Sequence, residues 1–230
     1  MPMRLVVLDM AGTTVRDDDA VNLCLREALA AQRVEVTRDE VNAVMGLPKP
    51  LAIHQLLQRK NLTGGTFLLT VAAEIHADFL RRMISFYQTD PGVEPMPHAV
   101  QAMARLKQAG IKVALDTGFS RPIVDAILDR LGWRTGALLD ATVASDEVAR
   151  GRPHLDLILK AMQLTGVTDA RTVAKVGDTP SDLLEGNAAG CGLVIGVTNG
   201  SHTRQQLAVY PHTHLLPTLE GLPALVLEAR

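Results

Sequence analysis

The chain has only two cysteines, Cys24 and Cys191, far apart and without ligand-type spacing, so a disulfide framework and a cysteine-bound zinc are excluded. A reducing, cytoplasmic setting is the expected location. No uninterrupted apolar run approaches the roughly 18 residues that a membrane helix needs. Met1-Pro2-Met3-Arg4 passes directly into a short strand pattern, so no signal peptide is expected. Large charge excess is also missing: 23 Lys and Arg against 25 Asp and Glu give a formal charge of -2, which argues against a general nucleic-acid or membrane-surface binder. There is no internal repeat and no low-complexity tract. Seven histidines are scattered, and the one close pair, His212-x-His214, lacks a third ligand and reads as surface. One further absence concerns chemistry. Asp9 ends an apolar run, yet the position two residues on, where a second carboxylate would serve as acid or base, holds Ala11.

What is present is ample core material, 47% hydrophobic in 230 residues, enough for one domain with an appended subdomain. Five apolar, β-branched runs, 5–8, 112–115, 137–143, 172–176 and 193–197, alternate with helix-patterned segments. That alternation predicts an α/β fold with a parallel sheet and crossover helices. Between the first two runs the period is helical, over 21–32, 37–45, 51–60 and 66–87. Thr37-Arg38-Asp39-Glu40 has the capping-box pattern of a helix start. On helix 21–32, Val21, Leu25, Ala28 and Leu29 form one stripe with Cys24 on its edge, suited to internal core or to a dimer interface. The segment 89–97, rich in Pro and Gly, reads as a linker. Residues 1–15 and 96–230 are therefore expected to form a core domain, and 16–95 an all-helical cap over the end of the first strand.

Four separated pieces read as one phosphoryl-transfer site. Asp9 stands where a strand opens into a loop and is a candidate nucleophile. Leu115-Asp116-Thr117-Gly118 ends another strand just before a helix start at Pro122, where the Thr117 hydroxyl and free amides form an anion site. Arg150-Gly151-Arg152-Pro153 can bring a guanidinium to phosphate, unless both arginines are solvated surface residues. Gly177-Asp178-Thr179-Pro180-Ser181-Asp182 delivers two carboxylates four residues apart, oxygen ligands suited to a hard divalent ion.

In this order the pieces resemble the haloacid dehalogenase superfamily of hydrolases, whose core is a Rossmann-like parallel sheet with an inserted helical cap. The resemblance spans essentially the whole chain. It implies that Asp9 is nucleophile and Mg2+ ligand, that the Ala11 carbonyl is a second ligand, and that Asp178 is the acidic ligand with Asp182 as helper. It further implies that Thr117 and Gly118 bind phosphate, and that Arg152 balances the charge where most members use Lys.

Ala11 and Arg152 are both shared with phosphonoacetaldehyde hydrolase and phosphonatase-like hydrolases. Met45-Gly46-Leu47-Pro48-Lys49 resembles the segment that carries the Schiff-base lysine of that group, which implies the role for Lys49, the alternatives being a solvated lysine at a helix start or a residue that only binds substrate; a lowered pKa would make it nucleophilic. The group continues with Asp where this chain has Arg16, and places a histidine where this chain has Ala52; His54 is not at the matching position. These departures bear on the substrate. The expected function is Mg2+-dependent cleavage of phosphonoacetaldehyde or a related small phosphonate through an aspartyl-phosphate, and the resemblance also favours a homodimer. A small-molecule phosphatase acting on phosphoglycolate or a sugar phosphate is the alternative, and a non-catalytic phosphate-binding protein is a third reading. The acidic run Asp17-Asp18-Asp19 is read as a solvated linker.

Overall fold

The computed structural model describes residues 1–62 and 65–229, with the backbone alone for 65–67. Strands β1 (Leu5–Asp9), β2 (Lys112–Asp116), β3 (Ala141–Val143), β4 (Val173–Gly177), β5 (Leu193–Val197) and β6 (His214–Leu216) form one sheet in the order β3-β2-β1-β4-β5-β6. Every pairing is parallel. The order changes direction at β1, so the crevice beyond the carboxyl ends of β1 and β4 is the place where such sheets bind ligands.

Strand β1 is buried along its whole length, as expected for a parallel strand covered on both faces. Its side chains divide with period two. Val6 and Leu8 enter the larger core, with Met103 of helix α5 (Ala99–Gln108) and Ile123 of α6 (Arg121–Leu131). Leu5 and Val7 enter a second core with Leu157 and Ile158 of α7 (Asp156–Thr165). Each such aliphatic side chain contributes about 1.5–3 kcal/mol on burial.

Between β1 and α5 the chain forms α1 (Ala20–Ala31), α2 (Arg38–Asn42), α3 (Lys49–Arg59) and α4 (Gly65–Thr89). The α1 stripe of Val21, Leu25, Ala28 and Leu29 is fully buried in the larger core, and α1 packs on α4. The capping box at Thr37 forms, with Glu40 N donating to Thr37 Oγ1 at 3.1 Å and Thr37 N to Glu40 Oε2 at 2.7 Å. The segment leaves and re-enters side by side: Arg16 N donates to the Glu94 carbonyl at 3.0 Å and Met96 N to the Thr14 carbonyl at 2.9 Å.

Several limits differ from the sequence reading. Strand β3 is only three residues, because the chain before it turns on itself, with Gly136 N bonded to the Leu139 carbonyl at 2.7 Å. Strand β6 is short and partly exposed, so it carried no apolar run to announce it. Helix α2 is five residues, since the chain turns toward Gly46 at φ +79°. The acidic run is not uniformly solvated. Asp17 is half-buried and accepts from Val21 N at 3.1 Å, Asp19 pairs with Arg38 at 2.8 Å, and Asp18 is the exposed member, 3.7 Å from Arg16. No helix among the described residues is long and apolar enough to cross a membrane.

Candidate active site

The sheet register sets the site. Asp9 and Asp116 are partners at the ends of β1 and β2, and Leu8 is level with Val176 on β4, two residues before Asp178. Asp9, Ala11, Lys49, Thr117, Gly118 and Arg152 line one narrow recess with a free volume of about 20 Å3. Six of the polar sequence candidates are almost fully enclosed: Asp9 and Lys49 are 4% exposed, Thr117 3%, Arg152 1%, and Asp178 and Asp182 0%.

Asp178 is held by three donors: Thr13 Oγ1 at 3.0 Å on Oδ1, and the backbone N and Oγ of Ser201 at 2.7 Å on Oδ2. Gly12, at φ +85°, lets the loop pass over it; a Cβ there would fall 2.4 Å from Asp178 Oδ2. Carboxylate oxygens of Asp9, Asp178 and Asp182 lie within 4.8 Å of one another. Burial first, with Asp182 adding, pushes Asp178 up to about 6. Asp9 is pushed up to about 8 by burial, against the pull of Arg152 and with the push of Asp182 and Asp178. Buried carboxylates that raise one another are relieved by a cation between them, so this all-oxygen set fits a hard divalent ion. Asp182 is the most engaged of the three. Its Oδ1 faces Arg152 at 3.0 Å and Lys175 at 3.1 Å, and its Oδ2 accepts from Thr179 Oγ1 at 2.6 Å.

Arg152 does not lie on the surface; its exposed neighbour Arg150 does, beside Asp156. Arg152 Nη1 donates to Asp9 Oδ1 at 2.6 Å, Nε to Glu185 Oε2 at 3.0 Å, and Nη2 to the Asp116 carbonyl at 3.1 Å and to the Asp116 carboxylate. Burial opposes its charge, but the surrounding carboxylates outweigh that and hold it protonated. Lys175, wholly buried in the middle of β4, closes the network on Asp116, Asp182 and, at 3.2 Å, Glu185. Glu185 is pushed up to about 8 by burial and then by Asp116. Lys175, Asp116 and Glu185 were given no role by the sequence reading. The readable signal was a lysine inside an otherwise apolar strand, which in a parallel sheet must find buried partners.

Lys49 is the first residue of α3, after Pro48. Its ammonium lies 5.1 Å from the Phe119 ring centre and 5.7 Å from that of Phe79. Burial lowers its pKa to about 8, opposed by the fields of Asp17 and Asp9. The positive end of α3 works in the same direction as burial, since a helix N-terminus disfavours a cation. Gly46 and Leu47 press this turn onto the core: a Cβ on Gly118 would fall 2.7 Å from the Gly46 carbonyl oxygen and 2.8 Å from that of Leu47. Arg16 pairs with Glu94, Ala52 is buried in the core, and His54 does not line the recess.

The family model described as haloacid dehalogenase-like hydrolase matches residues 3–190. The phosphonoacetaldehyde hydrolase of Syntrophobacter fumaroxidans is 30% identical over 240 residues, covering 99% of this chain and 85% of its own length. The probable phosphatase IndB of Dickeya dadantii is 32% identical over 205 residues, covering 88% of this chain and 84% of its own. The crystal structure of a phosphonoacetaldehyde hydrolase like protein from Oleispira antarctica superimposes with a TM-score of 0.84 at 21% identity, covering 98% of this chain and 93% of that one, a likeness of fold. With an aspartate at the end of β1, a buried acidic cluster and a matching family model over most of its length, the chain belongs to the haloacid dehalogenase-like hydrolases and is an enzyme.

Proposed function

We propose that the protein is a phosphonatase: it cleaves the carbon–phosphorus bond of phosphonoacetaldehyde or a close relative, with Asp9 as nucleophile and Lys49 as Schiff-base amine. The observation that carries this reading is a buried lysine, lowered to about 8, in the same recess as Asp9.

The Lys49 amine adds to the aldehyde carbonyl and water leaves, giving an imine that takes up a proton. Asp9 then attacks phosphorus and the carbon–phosphorus bond breaks. The bonding pair moves onto carbon and through to the iminium nitrogen, leaving an enamine and an aspartyl-phosphate. Water hydrolyses the acyl phosphate, the enamine carbon takes a proton, and hydrolysis of the imine returns Lys49 and acetaldehyde. Because the iminium accepts the electron pair, no acid is required two residues after the nucleophile, which gives Ala11 a rationale.

Residues 16–95 act as the cap that presents Lys49 to the core domain, 1–15 and 96–230. Arg152 pairs with Asp9 and orients it toward phosphorus, while Thr117 and Gly118 receive phosphoryl oxygens. Mg2+ held by Asp9, Asp178 and the Ala11 carbonyl, with Asp182 acting through water, would neutralise charge on the phosphoryl oxygens. Enclosure of the recess keeps bulk water from the iminium until the carbon–phosphorus bond has broken; water then enters for the two hydrolyses.

The test is borohydride reduction in the presence of phosphonoacetaldehyde and Mg2+, with mass spectrometry of the Lys49 peptide and a parallel phosphate assay. Trapping at Lys49 with phosphate release supports the reading. The likeness to a probable phosphatase favours a second reading, phosphate monoester hydrolysis. Ester turnover that is lost in Asp9→Asn, with no trapping at Lys49, would establish it instead.

A further inference from the structure

A second cavity, of about 240 Å3, lies against the recess and shares Lys49 and Gly118 with it as a common wall. Its apolar body is formed by Phe79 and Leu80 of α4 and Ile123 of α6, so it lies between the helical segment and the sheet domain. Besides Lys49, four polar side chains interrupt it, Ser120, His76, Ser145 and Asp146. Ser120 caps α6 by position only: its buried Oγ has no hydrogen-bond partner among the described residues. His76 is partly buried, and burial with the neighbouring Lys49 charge holds its imidazole below the usual histidine range.

The volume sets what this space can hold. At about 30 Å3 per water, 240 Å3 has room for about eight waters. The two-carbon part of phosphonoacetaldehyde ends at the carbon bonded to Lys49 and carries only hydrogen beyond it. A substrate with phosphorus at Asp9 and its carbonyl carbon at Lys49 would direct any further substituent past the shared wall. Resting on the phosphonatase reading, we infer that this cavity is the subsite for a carbon chain on that carbonyl, making the preferred substrates 2-oxoalkylphosphonates, with an apolar tail against Leu80 and Ile123 and a polar atom able to meet Ser120.

The reaction balances as for the aldehyde. The ketone and Lys49 form an imine with loss of water, and Asp9 takes the phosphoryl group as the carbon–phosphorus bond breaks. The pair passes to the enamine, and two hydrolyses give a methyl ketone and phosphate. The net change is one water consumed per phosphonate.

The experiment compares kcat/KM for phosphate release from 2-oxopropyl-, 2-oxobutyl-, 2-oxopentyl- and 2-oxohexylphosphonate with Mg2+, alongside phosphonoacetaldehyde. Comparison within the ketones removes the difference in reactivity between aldehyde and ketone. The expected result is a rise of roughly fourfold per methylene, the gain for burying one CH2 group, and a Leu80→Trp variant that flattens the series. Flat or falling values, with phosphonoacetaldehyde turned over and Lys49 trapped, overturn the subsite and leave the phosphonatase reading standing. No phosphate from any carbonyl phosphonate overturns both. If Leu80→Trp does not fold, the wild-type series alone decides.

Discussion

Arg152 and Asp9 stand 143 residues apart in the chain and are joined by a 2.6 Å hydrogen bond in a pocket almost closed to water. The same guanidinium holds Asp116, Asp182 and Glu185, so it joins the recess beside Asp9 to a buried charge cluster. Arg152→Ala is expected to lower kcat/KM by more than about 100-fold and stability by about 3–5 kcal/mol, because carboxylates are left buried without their cation. Arg152→Lys keeps the charge but has one nitrogen where four contacts are needed, and should keep more stability than activity. Urea denaturation with steady-state kinetics on both variants separates the two effects.

Lys49 sets a pH dependence. Its folded pKa of about 8 lies below its ordinary 10.5, so at pH 7 the folded protein holds a proton at a disfavoured site. Between about 8 and 10.5 the unfolded chain binds that proton and the folded chain does not, and stability contributed at this site rises with pH. Lys49→Met is therefore expected to raise stability at pH 7 by up to about 3 kcal/mol, a gain that shrinks as pH passes from 8 to 10.5, while imine trapping is abolished. Wild-type trapping should rise through about pH 8 as the amine loses its proton. Denaturation curves at pH 7 and pH 10, with a trapping profile across the same range, check both signs.

Divalent-cation binding is expected to raise the melting temperature. Asp9 and Asp178 are both pushed up by burial and by the Asp182 carboxylate, and a ligand that binds only the folded state stabilises it in proportion to the logarithm of its concentration. Thermal melts with increasing MgCl2 should shift upward for the wild type and little for Asp178→Asn. Chelation should abolish phosphate release reversibly.

Gly118 tests how closely the helical segment must seat. A methyl there would meet two carbonyl oxygens of the 46–47 turn at 2.7 and 2.8 Å. Gly118→Ala is expected to displace that turn, lowering kcat about 10-fold or more through misplacement of Lys49 while the sheet stays intact. A crystal structure of the variant with single-turnover kinetics measures the displacement and its cost together.

The sequence made the carboxyl edge of the sheet readable because strand ends announce themselves. Asp9, Thr117 and Asp178 each follow an apolar run, and a parallel sheet places all such ends together. Arg152 is legible only through resemblance, since an isolated Arg-Gly-Arg-Pro reads better as surface. The Lys175–Asp116–Glu185 network was not legible: its members come from three elements whose proximity depends on strand order, which local pattern does not encode. Strand β6 escaped for another reason, being a three-residue edge strand with little burial and hence no hydrophobic signature.

The paired crossings at Arg16–Glu94 and Thr14–Met96 have a consequence for how such an enzyme changes over generations. A segment whose two ends meet can be lengthened, shortened or exchanged without moving either flank of the sheet. Residues 17–93 can therefore accumulate changes while Asp9, Arg152 and Asp178 keep their mutual distances. The exceptions are Lys49 and the 46–47 turn seated on Gly118, which tie that segment back to the recess and mark where exchange is constrained.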